Sequence, residues 1–391
     1  MRVPLMRNAF LNESETKKKL AEFILNTNKF SMGPECEAFE KKFAEWQGCK
    51  YAVLFNSGGS ANLALLQSLK NLNYLHRLDR VGFSSLTWST NVMPIIQMGM
   101  IPVPVDVDYN TMNVMSHNLE ERIKDCKLDA FFATNVLGFS GDLDKIKEIC
   151  DREKIVFIED NCEGLGGVVK GQHFGNYGMG ATFSFFIAHH MSTIEGGMVV
   201  TNNDNLYKML KIVRANGWDR NVDSDTQVKL RKKFKIDDFY AKYSFYDLAY
   251  NFRPTEITGF IGQEQIKYLD ENIEKRIKNH ELFDSVIKSN PDLVHIDYSH
   301  IDKITPFGLI VLCKNEELRD KYLSKFIDSG IEVRPIIAGN MQMQPFYKKY
   351  VARSYPLPST EMISKCGFYC GNFPEITDED KKIITEALTK K

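Results

Sequence analysis

The chain has 391 residues, with 50 basic side chains against 51 acidic ones, 43% hydrophobic residues and a formal net charge of -1. That length predicts a large domain joined to a smaller one, and the balanced charge excludes the electrostatic footprint of a protein that binds nucleic acid or an anionic membrane. The longest apolar runs fall short of the roughly 18 residues of a membrane span, and the opening MRVPLMRNAF lacks a signal peptide's apolar centre, so a cytoplasmic protein is expected.

From about residue 50, short β-branched or aromatic runs alternate with segments of helical period, the pattern of a mostly parallel sheet covered by helices. YAVLF (51–55), RVGFSS (80–85), IPVPVD (101–106), AFFATNVL (130–137), IVFIED (155–160), ATFSFF (181–186) and GMVVT (197–201) predict one seven-stranded sheet. Helices are expected between them at 61–72, 91–99 and 143–153, where apolar residues recur at three- and four-residue steps. Residues 219–245 are polar and without clear period, suggesting a surface excursion that serves a substrate or a dimer. One long helix is expected over 255–287, then a strand (305–313), a helix (316–330) and a terminal helix (377–391), which together make a small α/β domain. The expected division is a large domain over 1–260, including the N-terminal segment, and a small one over 261–391.

Candidate chemistry gathers where strands end. Asn56-Ser57-Gly58-Gly59-Ser60 follows a strand and opens a helix, so free N–H groups and the helix's positive end suit a phosphate, although a plain glycine turn reads the same way. Asp160 ends IVFIED at the edge where open α/β sheets present ligand-binding groups; it suits a pyridinium nitrogen, or else a helix cap or ion pair. Trp88 offers a flat face to a cofactor ring or to the core. His189 and His190 follow another strand, and because adjacent side chains diverge, one catalytic and one packing histidine is the expectation. Eight cysteines are scattered, and the close pair Cys366 and Cys370 has no second pair or nearby histidine to make a zinc site, so reduced thiols and no metal are expected.

NSGGSANLAL, LTWST, IEDNCEGLG, SFFIAHH, EGGMVVTN, YNFRPTEITGFIGQEQI and GIEVRPIIAGN occur in an order and spacing that resembles the DegT/DnrJ/EryC1/StrS sugar aminotransferases over nearly the whole chain. The resemblance implies the fold type I of pyridoxal-phosphate (PLP) enzymes, similar to aspartate aminotransferase. In that family a lysine in SFFxxKN binds the cofactor covalently; here His189 takes its place. The double histidine resembles the family's 3-dehydratase branch, as do RANGWDRN (214–221) and GFYCGN (367–372), though that branch leads one to expect histidine at Asn216. A related branch carries an iron–sulfur cluster on clustered cysteines, and residues 203–312 contain none, so no cluster is expected.

Carried over residue by residue, the resemblance implies that Gly58, Gly59, Ser60 and Ser184 hold the cofactor phosphate. Trp88 would stack on the ring, Asp160 pair with its nitrogen and Glu163 lie near its hydroxyl. Asn251, in YNFRP, would reach the phosphate of a neighbouring subunit, giving a homodimer with shared sites. The cofactor is expected as non-covalent PLP or its aminated form, pyridoxamine phosphate (PMP). His189 would act as the base in removing the 3-hydroxyl of a nucleotide-linked 4-keto-6-deoxyhexose, with GDP-4-keto-6-deoxy-D-mannose implied as substrate, and L-glutamate would restore the amine. Asn216 is a candidate substrate contact, and Arg334 suits either a carboxylate or a structural ion pair. The rival readings are a sugar 4-aminotransferase that tolerates histidine and an inactive cofactor-binding paralogue.

Overall fold

The apolar runs of the first half pair side by side in a computed structural model that describes residues 2–390. Strands β1 (Tyr51–Phe55), β2 (Arg80–Ser84), β3 (Ile101–Val105), β4 (Ala130–Thr134), β5 (Val156–Asp160), β6 (Ala181–Ser184) and β7 (Gly197–Thr201) form one sheet in the order β1-β7-β6-β5-β4-β2-β3. From β6 to β3 every pairing is parallel, whereas β7 runs antiparallel between β1 and β6. Every residue of β4 is buried because helices cover both faces, which is why its sequence is a continuous apolar run. Phe132 packs on one face with Leu65, Leu69, Leu206 and Leu210 from the helices Gly58–Asn71 and Asp204–Arg214. Phe131, its neighbour, packs on the other with Ile146 and Ile149 of the helix Leu143–Glu153. The expected strands 130–137 and 181–186 stop early, at Thr134 and Ser184, where the chain turns to build the site.

The expected helix over 255–287 is two helices, Glu256–Gln265 and Leu269–Ser289, joined by a 3-10 turn at Ile266–Tyr268. The first lies hard against the helix Pro34–Gln47: a Cβ on Gly259 would come within 2.4 Å of the Cys36 nitrogen. The second turns away toward the small domain. The excursion at 219–245 holds a helix, Ser224–Phe234, none of whose residues is buried, so it has no apolar stripe for a periodicity search to find.

In the small domain β8 (Gly308–Leu312), β9 (Val333–Pro335) and β10 (Gly367–Gly371) form an antiparallel sheet in the order β8-β10-β9. The helices Glu316–Asp328, Asp378–Leu388 and Leu269–Ser289 share its core. The expected boundary at 260 falls inside the helix Glu256–Gln265. The first residues of the chain, expected with the large domain, make contacts with the small one: Val3 is fully buried in the apolar cluster that includes Phe283 and Leu309 and bridges to Ile331, and Arg7 pairs with Asp380 at 2.7 Å. Apolar burial of Val3 draws the arm there, a contact invisible to local patterning. Met1 and Lys391, the ends of the expected domains and of the helix over 377–391, lie outside the described residues.

Candidate active site

Because β1 and β6 both run antiparallel to β7, the carboxyl ends of β1, β2, β5 and β6 lie along one sheet edge, and the segments that leave them converge there. After β1, Ser57 caps the helix Gly58–Asn71 by accepting from the Ser60 nitrogen at 3.1 Å. Ser184 ends β6 directly opposite: a Cβ on Gly58 would lie 2.7 Å from Ser184 Cβ and 3.2 Å from Cys162 Sγ. Glycine is required there by that close approach. Gly59 faces Thr90 in the same way, at 3.1 Å from its methyl.

Asp160, 3% exposed, ends β5. Its Oδ2 accepts from Asn62 Nδ2 (3.0 Å) and Asn91 Nδ2 (2.7 Å), and its Oδ1 from the Cys162 nitrogen (2.8 Å). A carboxylate accepts about four hydrogen bonds, so three fixed donors orient Asp160 and leave room for a further N–H. Cys162 then links this acid to the histidine, since its carbonyl receives His189 Nδ1 at 2.5 Å. A carbonyl only accepts, so the proton sits on Nδ1 and the lone pair on Nε2. Burial lowers the His189 pKa to about 4, against the opposing pull of the Cys162 carbonyl and Asp160. The Phe307 ring stands edge-on to the imidazole at 5.1 Å.

His190 turns away and is buried, its Nε2 donating to the Thr305 carbonyl at 2.9 Å, which is a packing role. Glu163 accepts from the Leu137 nitrogen at 2.9 Å; burial pushes its carboxyl up to about 8, and Asp160 adds to the rise. Trp88 precedes the helix Ser89–Gln97 and is 59% exposed, so it is not a core tryptophan.

The remaining candidates are held by contacts of their own, and the residue after Asn251 touches the glycine loop, the Phe252 carbonyl accepting from the Asn56 nitrogen at 3.1 Å. Asn251 is exposed, accepts from Arg253 Nε at 3.0 Å and bridges to Ala215. Asn216 has φ of 58° and is followed by Gly217 at 84°, a left-handed pair for which asparagine is well suited. Arg334 is exposed on β9 and pairs with Glu332 at 2.5 Å, the structural alternative. Asn62, Asn91, Cys162 and Phe307 were not foreseen. Polar residues inside the apolar helical stretches at 61–72 and 91–99 were the available signal for the two asparagines. Cys162 acts through its backbone and Phe307 through its position, so neither leaves one.

The chain is similar to known proteins over nearly its whole length. GDP-4-keto-6-deoxy-D-mannose 3-dehydratase of Yersinia pseudotuberculosis is 35% identical over 94% of this chain and 94% of its own. The solved E. coli GDP-4-keto-6-deoxy-D-mannose-3-dehydratase with bound hydrated PLP superposes with a TM-score of 0.90 at 30% identity, covering 100% of both chains. A GDP-4-keto-6-deoxymannose-3-dehydratase solved with a trapped PLP-glutamate geminal diamine gives 0.90 at 31% identity, over 99% of this chain and 100% of that one. The fold is that of the PLP-dependent aminotransferases. With a family profile matching residues 12–389, the chain belongs to the DegT/DnrJ/EryC1/StrS aminotransferase family.

Proposed function

We propose that this protein is a PLP/PMP-dependent 3-dehydratase that removes the 3-hydroxyl of a nucleotide-linked 4-keto-6-deoxyhexose in deoxysugar or O-antigen biosynthesis, with GDP-4-keto-6-deoxy-D-mannose as substrate. The observation that carries it is His189: an imidazole stands at the family's lysine position, with Nδ1 committed to the Cys162 carbonyl and Nε2 left basic. The residues fit the cofactor. Gly58, Gly59, Ser60 and Ser184 make a narrow N–H- and hydroxyl-lined cradle for its phosphate. Asp160 retains acceptor capacity for a ring N–H, Trp88 presents a free face, and Glu163 lies one residue beyond Cys162.

When bound, the aminated cofactor supplies an amine to the sugar ketone and a ring that holds the electrons released next to it. His189 Nε2 takes a proton as general base and returns one to the departing hydroxyl. Asp160 favours a protonated ring nitrogen by charge pairing. An imidazole cannot bind the cofactor covalently as lysine does, so the group stays free to leave with or without its amine, and L-glutamate restores that amine.

A homodimer is part of the proposal, supported by Phe239, Tyr240, Tyr243, Phe245 and Leu248, which are 60–75% exposed along one segment. A cytoplasmic location is also proposed; no described helix is long and apolar enough to cross a membrane. The test is incubation with GDP-, CDP- and dTDP-linked 4-keto-6-deoxyhexoses and glutamate, read by mass. Loss of the hydroxyl with release of ammonia is expected for the GDP sugar, whereas gain of an amine would replace this reading with the aminotransferase.

A further inference from the structure

His189 is a base only if its loop is held still, and one buried side chain ties that loop, through an asparagine, to two segments of the small domain. Arg276, on the helix Leu269–Ser289, is 4% exposed. Its Nε donates to Asn272 Oδ1 at 2.9 Å, and Asn272 Nδ2 donates to the carbonyl of His190. Its Nη1 donates to the carbonyls of Phe307, at 3.0 Å, and Asn372. Asn372 Nδ2 closes the network by donating to the carbonyls of Arg276 and Pro306, both at 3.1 Å. The histidine loop, the turn before β8 and the residue after β10 are thus tied to one guanidinium.

Among the described residues Arg276 makes no ion pair; the acid whose charge reaches it is Glu375. A buried cation held by carbonyls alone is costly, and a lysine could not span these acceptors with a planar fork. We propose that Arg276 is the positioning residue of His189, fixing through Asn272 the loop that carries the imidazole and through the Phe307 carbonyl the ring that stands against it. The proposal rests on His189 being the base.

The charge acts as well. Arg276 disfavours protonation of both His189 and His190, while Asp160 from β5 favours it at His189. Glu163, one residue beyond Cys162, Tyr369 of β10, which its charge reaches, the buried Cys162 thiol, and Glu375, whose charge reaches Arg276, are further titratable groups at this junction.

Arg276→Lys keeps the charge and loses the fork; Arg276→Met loses both. Each is compared with the parent by steady-state kinetics and by NMR of the His189 ring in the cofactor-free protein, the resonance being identified by its absence in His189→Asn. A misplaced base is expected to lower kcat about 10–100-fold with KM little changed in both variants. Only the methionine variant should move the His189 titration to higher pH. Parental kcat in Arg276→Lys, or an unmoved His189 resonance and titration in both variants, overturns the proposal. The NMR arm decides even if the parent turns over no keto-sugar, a result that would count against the proposed reaction instead. Should neither variant fold by circular dichroism, Asn272→Ala carries the same readouts: a fall in kcat and a displaced His189 resonance are expected, and parental values of both overturn it.

Discussion

Lowering the pH tests the surroundings of His189 most directly. Burial takes its pKa from 6.5 to about 4, with the Cys162 carbonyl and Asp160 opposing and Arg276 assisting. At about pH 5 a free imidazole is about 3% neutral, whereas one titrating at about 4 is about 90% neutral, roughly a 30-fold difference in available base. NMR titration of the cofactor-free protein should therefore find the His189 ring still neutral at about pH 5. The acid limb of kcat/KM, which reports the free enzyme, should likewise lie well below that of an ordinary histidine. A ring that titrates near 6.5 would show that the loop leaves it solvated, and would refute the argument from burial.

Replacing His189 by lysine (His189→Lys) should trap the cofactor covalently, so that a borohydride-fixed pyridoxyl label survives denaturation and the products shift toward amino sugar; unaltered dehydration would mean that histidine does not direct the outcome. Gly58→Ala forces a methyl against Ser184 and Cys162, and overpacking of about 1–3 kcal/mol should weaken PLP binding about 10–100-fold in a fluorescence titration. Parental affinity would remove Gly58 from the cradle. His280 is buried with both ring nitrogens unpartnered, and burial lowers its pKa from 6.5 to about 4. Between those values the unfolded chain binds a proton that the folded one refuses, so stability falls as pH drops through that window, by about 3 kcal/mol in all. His280→Leu should flatten the decline measured by urea melts on passing from neutral to acid pH, and an unchanged decline would show that His280 is not its source.

The parts of the fold legible in the sequence were those whose burial is two-sided or strongly periodic. AFFAT is buried throughout and reads as an interior strand; LDKIKEICDRE buries Leu143, Ile146, Ile149 and Cys150 at three- and four-residue steps. Helix Ser224–Phe234 buries nothing, and β9 spans three residues, so neither leaves a pattern. The break at Ile266–Tyr268 was missed because apolar spacing continues across it while the packing partner changes. At the site, His189, Asp160 and the glycine loop stood out because their side chains, or lack of them, bear the chemistry. Cys162 couples Asp160 to His189 through its backbone N–H and carbonyl, groups that every residue but proline carries, and Arg276 looks like any arginine on an amphipathic helix until its acceptors are known.

The passage of the first residues into the small domain has a consequence for dissecting the enzyme. Val3 fills a socket in the apolar cluster that includes Phe283 and Leu309, and Arg7 pairs with Asp380 of the last helix. A fragment starting at 261 would expose that socket to water, and a chain trimmed to begin at the helix Glu13–Asn26 would do the same from the other side. The two halves are therefore laced together by their own leading thread, and proteolysis within residues 2–10 should loosen a lobe whose remaining sequence begins hundreds of residues later.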